Sequence, residues 1–279
     1  MSDQKQIMRA SRFSRRSLLV GGGAALVGLS MPSATRAAFV HSHDKYANVD
    51  WLVDAAWVKQ RLGDPSLKVV AFTPIDAYEA GHIPGATQID WPDLALAETS
   101  DPSIASWHAG VQTILARLNV TPGDTVVLYD DATLLAARLW WVLDLLGHGD
   151  IRMLNGGLGA WKLAGGELET GSASSAGAEP YPGEVDRAKL ATLDDVAKSL
   201  DARPLALIDA RNADEYGAGH IPGAINHAFP LNAEDGPVRV WKSADLLGAV
   251  YAGMGITPDR EIVSYCATGV RSSVTYFTL

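Results

Sequence analysis

The chain has 279 residues, 47% of them apolar and 20% charged, enough for two domains with cores of their own. Its formal charge of −9 at pH 7 gives a nucleic-acid partner no electrostatic footing. A single cysteine excludes an internal disulfide and any zinc site built from several thiolates, and the scattered histidines suggest no metal site. Nothing in the composition calls for a cofactor.

The N-terminus reads as a targeting segment. Arg9 and Arg12 precede Ser14-Arg15-Arg16-Ser17-Leu18-Leu19, a twin-arginine pattern. The apolar Gly/Ala-rich run from Leu18 to Met31 falls short of the ~20 residues that span a bilayer. Thr35-Arg36-Ala37-Ala38 supplies small residues for cleavage. Residues 1–37 are therefore expected to be a twin-arginine signal peptide, with an uncleaved anchor or an ordinary secretory signal as the alternatives. The expectation carries a periplasmic location and no stable membrane association after cleavage. The remaining chain would hold 17 basic and 31 acidic residues, formally −14. A lone cysteine in an oxidising compartment suggests a working thiol rather than half of a bridge.

Beyond the leader, strands and helices alternate. Helices are predicted over 55–62, 75–80, 108–118 and 134–146, strands over 67–71, 86–89, 125–129 and 151–154, and a closing helical turn from Gly156 to Trp161. Residues 166–187, rich in Gly, Ala, Ser, Glu and Pro, read as an extended linker. Helices follow at 192–200, 212–217 and 243–254, with strands at 205–208 and 261–265. Strands lacking polar alternation, separated by helices, imply parallel sheets covered on both faces.

The second half repeats the first. Gly81-His82-Ile83-Pro84-Gly85-Ala86 recurs as Gly219-His220-Ile221-Pro222-Gly223-Ala224, and Val127-Leu128-Tyr129-Asp130 aligns with Val263-Ser264-Tyr265-Cys266. That register runs without a gap to Leu143 against Leu279. The expected organisation is thus a domain over 47–165, the linker, and a second domain over 188–279. Since the first copy continues past Leu143 to Trp161, the second is expected to be truncated. It would lack the last strand, and its sheet would have a bare edge and marginal stability.

The copies differ where chemistry would occur. Cys266 replaces Asp130, Arg271 replaces Leu135, and Ala210-Arg211 replaces Phe72-Thr73. A buried, inert cysteine is the commoner fate of a free thiol, but three related differences in one copy point to a nucleophile. The strand ending at Tyr265 delivers Cys266 into Ala267-Thr268-Gly269-Val270-Arg271, where backbone N–H groups and a helix N-terminus favour a thiolate. Arg271 either closes this loop by bonding carbonyls or faces a substrate oxyanion. Arg211 is read as a substrate ligand, with an ion pair to Asp209 or Glu215 as the alternative. His82 and His220 occur in both copies and so are expected to fasten their turns. Trp140, Trp141 and Trp161 are assigned to core.

The tandem blocks, Asp209-Ala210-Arg211 and the Tyr265-Cys266 loop resemble two-domain sulfurtransferases of the rhodanese superfamily, over nearly all of residues 47–279. The resemblance implies an α/β fold of two rhodanese-like domains, the first non-catalytic. It also implies an enzyme that holds a sulfane sulfur as a persulfide on Cys266, with Ala267, Thr268, Gly269, Val270, Arg211 and Arg271 binding substrate. The implied partners are a small-molecule donor, thiosulfate or 3-mercaptopyruvate, and a cyanide or thiol acceptor; a monomer is expected. Thiosulfate enzymes of the family carry basic residues just after the cysteine, and mercaptopyruvate enzymes carry small ones and a threonine at the Arg271 position. Ala267-Thr268 with Arg271 matches neither, and thiosulfate is the favoured donor. Phosphatases of related fold have one residue more between Cys and Arg, so this smaller ring suits sulfur rather than phosphate. A persulfide carrier or binding module without turnover of its own is the other class considered.

Overall fold

The computed structural model describes residues 7–10, 46–96, 98–172, 177, 179–202 and 205–279. In chain order the strands and helices are β1 (Ile7–Ala10), β2 (Leu52–Val53), α1 (Ala55–Lys59), β3 (Leu67–Phe72), α2 (Ile75–Ala80), β4 (Thr87–Ile89), α3 (Asp101–Arg117), β5 (Thr125–Tyr129), α4 (Ala137–Leu145), β6 (Asp150–Leu154) and α5 (Gly157–Leu163). The second half contributes β7 (Leu190–Ala191), α6 (Leu193–Ala202), β8 (Ala206–Asp209), α7 (Ala213–Ala218), β9 (Ile225–Asn226), α8 (Ala244–Gly253), β10 (Ile262–Tyr265) and α9 (Val270–Thr278). The expected signal segment lies outside the described residues apart from β1.

The first sheet is parallel throughout, in the order β2-β6-β5-β3-β4. Its central strands are apolar runs because helices bury both faces: Val69 to Phe72 and Val126 to Tyr129 are all buried. Helix α3 begins a full two turns before the predicted start. Extended Ser100 precedes Asp101 and Pro102, and a proline in the first turn needs no hydrogen-bond acceptor for a missing N–H. Its buried Ile104, Trp107, Val111 and Leu115 form one helical stripe. Conversely, α4 starts later than predicted, because the N–H groups of 133, 134 and 136 bond the Asp130 side chain instead of a helical carbonyl.

The second sheet runs β7-β1-β10-β8-β9 and repeats the first position by position, with β10 parallel to β8. The one exception is the place of β6, which is taken by β1 lying antiparallel to both β7 and β10. In the intact chain β10 is therefore hydrogen-bonded on both sides; removal of residues 1–37 would take β1 away and leave the bare edge expected at this position.

The two copies share a core. Helix α4 packs on α9, and Phe277 meets Trp140 edge-on at 5.1 Å between ring centroids and Trp241 at 4.8 Å. Polar contacts register the halves: Tyr276 Oη donates to Asp144 at 2.9 Å, and the Trp241 N–H to Asn155 Oδ1 at 3.0 Å. The segment after 165 is not a free linker. Glu169 and His82 exchange backbone hydrogen bonds at 2.9 Å, and Tyr181 is buried at 2% exposure.

Tyr181 contacts a buried histidine. His148 Nε2 lies 2.9 Å from the Asp124 carbonyl, which only accepts, so Nε2 carries the proton and Nδ1 accepts from Tyr181 Oη at 2.9 Å. Burial is the main influence holding the pKa of His148 below its ordinary 6.5, and the same is true of His227 in the second half. Both pKa values are lower folded than unfolded, so the unfolded chain binds more protons once the pH drops below about 6.5, and stability falls there. The thermal midpoint should drop on going from about pH 7 to pH 5, and His148→Gln, which keeps a donor toward Asp124, should flatten the slope. A midpoint flat across that interval would contradict the assignment.

Candidate active site

Strand β10, buried at all four residues, ends at Tyr265 and delivers Cys266 to the floor of a short loop that turns directly into α9. Gly269 makes that turn possible. It sits at φ +81°, in the left-handed region that a side chain disfavours, at the N-terminus of α9. Its N–H donates to Cys266 Sγ at 3.1 Å, and Cys266 is fully buried. Serines hold the loop's shape: Ser264 Oγ donates to the Ser272 carbonyl at 3.0 Å, Ser272 Oγ to Gly269 at 3.2 Å, and Ser273 Oγ to Val270 at 2.6 Å. Ala267 and Thr268 are exposed at the loop's rim, and Val270 is buried beneath it.

The equivalent loop of the first copy takes a different path. Its left-handed residues are Ala132 and Leu134, against Gly269 (aligned with Thr133) here, and its helix begins three aligned positions later. There the side chain at the cysteine position is the buried carboxylate of Asp130, which accepts N–H groups from Thr133 at 2.9 Å, Leu134 at 3.1 Å and Ala136 at 2.8 Å. Burial raises the Asp130 pKa, and these N–H bonds work against it. Ala132 and Leu134 adopt positive φ (59° and 65°), a strained geometry for residues with side chains. The first-copy loop thus holds an anion with three N–H groups, whereas at Cys266 the Gly269 N–H is the backbone donor to the sulfur.

The two cations predicted from sequence are both paired. Arg271 forms a two-pronged ion pair with Glu215 of α7, Nη1 at 2.5 Å and Nη2 at 2.9 Å, tying α9 to the second copy's turn. The hydrogen bond to Glu215 raises the Arg271 pKa most; burial opposes it, and Cys266 adds to the rise through its charge and a hydrogen bond. Of the two readings open for Arg211, the geometry is that of the ion pair. Nε lies 2.9 and 3.1 Å from the Asp209 carboxylate oxygens, and Nη2 2.6 Å from Asp209 Oδ2 and 2.7 Å from the Gly219 carbonyl. Burial pushes the Asp209 pKa up, but the Arg211 bonds prevail and hold it below its ordinary value.

The twin histidines are structural in both copies. His82 and His220 donate through Nδ1 to the Tyr78 and Tyr216 carbonyls at 2.9 and 3.0 Å, and each stacks on that tyrosine at 3.7 Å. Tyr129 and Tyr265 hold the same turns from the strand ends, accepting the Ile83 and Ile221 N–H groups at 3.1 and 3.0 Å. Trp140, Trp141 and Trp161 are buried.

A third arginine escaped the sequence reading. Arg138, in the first turn of α4, is 0% exposed. The signal for it was in the repeat: it aligns with Val274, a charge in place of a core residue inside Ala136-Ala137-Arg138-Leu139-Trp140.

The rhodanese-like domain family matches residues 54–164 and 192–279, and the chain belongs to that family. It is a two-domain rhodanese sulfurtransferase, an enzyme. It is similar to the thiosulfate sulfurtransferase of Pseudomonas aeruginosa, 33% identical over 240 residues that cover 83% of this chain and 88% of the relative. It is also similar to the sulfur carrier protein TtuD of Thermus thermophilus, 34% identical over 84% of this chain and 88% of that one. Among solved structures, the 3-mercaptopyruvate sulfotransferase SseA of Escherichia coli superposes with a TM-score of 0.71 at 26% identity, covering 82% of this chain and 93% of that one.

Proposed function

We propose that the enzyme takes the sulfane sulfur of thiosulfate onto Cys266 and passes it to cyanide or a thiol. The observation that carries this reading is the fully buried Cys266 sulfur, which accepts the Gly269 N–H at 3.1 Å where the loop turns into α9. In the first step the Cys266 thiolate attacks the outer sulfur of thiosulfate. An Sγ–S bond forms, the donor's S–S bond breaks, and its electron pair leaves with sulfite. In the second, cyanide or a thiolate attacks the outer sulfur, and the pair of the breaking S–S bond returns to Sγ.

The persulfide is an anion one atom longer than the thiolate. The Gly269 N–H, already on Sγ, and the N-terminus of α9 face it. Arg271 supplies charge beside the sulfur, and Arg211, anchored by Asp209 through Nε and Nη2, offers its remaining Nη1 to the donor's sulfonate. Relatives named thiosulfate sulfurtransferase support the choice of donor. The exposed, uncharged Ala267 and Thr268 favour a second reading, 3-mercaptopyruvate. The remaining assignments extend the reading: domains over 47–165 and 188–279 joined by 166–187, a monomer, and periplasmic export through the twin-arginine pattern at Arg15-Arg16.

Incubation with thiosulfate alone should add the mass of one sulfur atom to the intact protein, and the adduct should be absent from Cys266→Ser. The ratio of kcat/KM for the two donors should favour thiosulfate. Labelling that requires a second protein would favour a carrier, and turnover with 3-mercaptopyruvate only would replace the donor. Cell fractionation and size-exclusion chromatography test export and the monomer.

A further inference from the structure

The first copy has a cavity where the second holds an ion pair. In the second copy the Arg211 guanidinium lies over Tyr265, 5.9 Å from Cζ to the ring centroid, and donates from Nη2 to the Gly219 carbonyl at 2.7 Å. Asp209, paired with Tyr265 in the parallel register, binds that guanidinium and accepts from the Tyr265 hydroxyl. The first copy keeps the frame and loses the charges. Ala71 pairs with Tyr129 in the same register, Thr73 stands for Arg211, and Gly81 and Tyr129 stand for Gly219 and Tyr265. A cavity of about 270 Å³ results, with Thr73, Gly81 and Tyr129 in its wall.

Two groups in that wall lack the partners their counterparts have. Tyr129 Oη accepts the Ile83 N–H at 3.1 Å, as Tyr265 Oη accepts that of Ile221 at 3.0 Å, but no carboxylate stands at the Asp209 position to take its proton. Tyr129 is 2% exposed, and a buried donor without an acceptor is costly. The Gly81 carbonyl has no guanidinium in front of it, because Thr73 is too short to supply one. Asp130, also in the wall, is no substitute acceptor, since its carboxylate is already shared among three loop N–H groups. The exposed Asp131 and Lys162 add one charge of each sign, and Leu158 and Leu168 add an apolar side.

We propose that this cavity binds a free α-amino acid as its zwitterion. The ligand re-creates the missing pair: its carboxylate accepts from the Tyr129 hydroxyl, and its ammonium donates to the Gly81 carbonyl and lies over the Tyr129 ring. An α-amino acid carries both groups on one carbon, as close together as the carboxylate of Asp209 and the guanidinium of Arg211 are. A lone anion leaves the Gly81 carbonyl unmet, and a lone cation leaves the Tyr129 proton unmet. Pockets for drug-sized molecules hold about 300–1,000 Å³, so this smaller one suits a metabolite of amino-acid size. The site is independent of the sulfur chemistry proposed for Cys266.

Isothermal titration of the full chain tests it, with L-leucine and L-alanine as probes. The controls are 4-methylpentanoate, which lacks the amine of leucine, and 3-methylbutylamine, which lacks the carboxylate. L-Leucine should bind with a dissociation constant of about 1 mM or tighter, and each control should bind at least about tenfold more weakly. Ala71→Asp combined with Thr73→Arg rebuilds the second copy's pair inside the cavity and should abolish binding while sulfur transfer is unchanged. Leu168→Trp, at a position 41% exposed, should block the cavity without risk to the fold. Absence of binding by both amino acids overturns the proposal. So does a control that binds as well as L-leucine, or binding that survives in Leu168→Trp and in the folded double variant.

Discussion

Cys266→Ser is expected to remove sulfur transfer, lowering turnover by roughly 10³-fold or more, the scale on which removal of a covalent nucleophile acts. A serine hydroxyl is not ionised at neutral pH, attacks sulfur poorly, and forms no persulfide. The fold should survive, because Cys266 is small and fully buried, and a serine oxygen accepts the Gly269 N–H at least as well. The two readouts therefore separate: donor kinetics collapse while the thermal midpoint stays within a few degrees of the wild type, a difference of about 1 kcal/mol at most. Residual turnover at more than about one-tenth of the wild-type rate would place the nucleophile elsewhere. The chain has no other cysteine to take its place, so that result would overturn the persulfide route altogether.

Asp209→Ala is expected to act on stability. Asp209 is 0% exposed at the end of β8 and binds Arg211 through both oxygens. Removing it strands a guanidinium that is itself 9% exposed, and losing one partner of a buried pair costs about 3–5 kcal/mol. Arg211 retains the Gly219 carbonyl, which offsets part of that loss. The pair also has a pH signature. The Asp209 pKa is lower folded than unfolded, so its contribution is complete above the ordinary carboxylate range and disappears as the pH falls through the depressed value. Removing both partners, in Asp209→Ala with Arg211→Ala, should be less harmful than the sum of the single changes, since no charge is then left unpaired. Denaturation midpoints of the four proteins test this, and a single-variant cost under about 1 kcal/mol would contradict it.

The repeat was legible because duplication leaves identical letters at matching positions, and the copies then served as controls for one another. Cys266, Arg271 and Arg211 stood out as departures from Asp130, Leu135 and Thr73. The roles of His82 and His220 followed from their appearing twice, and the structure has both rings stacked on tyrosine. Arg211 was harder. Its position at a strand end fitted a ligand as well as an ion pair, and only the closeness of Asp209, two residues earlier on the same turn, decided for the pair. Arg138 was missed because a charge within an apolar helix usually marks the solvent face, and one helix cannot show what packs against it.

By itself, the sequence determined the alternation of buried strands and helices, the duplication and the single cysteine that marks the candidate site. Each of these depends on local pattern: continuous apolar runs, a six-residue block repeated, and one cysteine opening a glycine-bearing loop. Only the tertiary structure decided that β1 pairs with the strand that ends before Cys266, that Arg211 is bound by Asp209, and that the charge of Arg138 is buried where the two copies meet. These are matters of which distant groups share a low-polarity space. Burial, which makes an unpaired charge costly, depends on the whole fold.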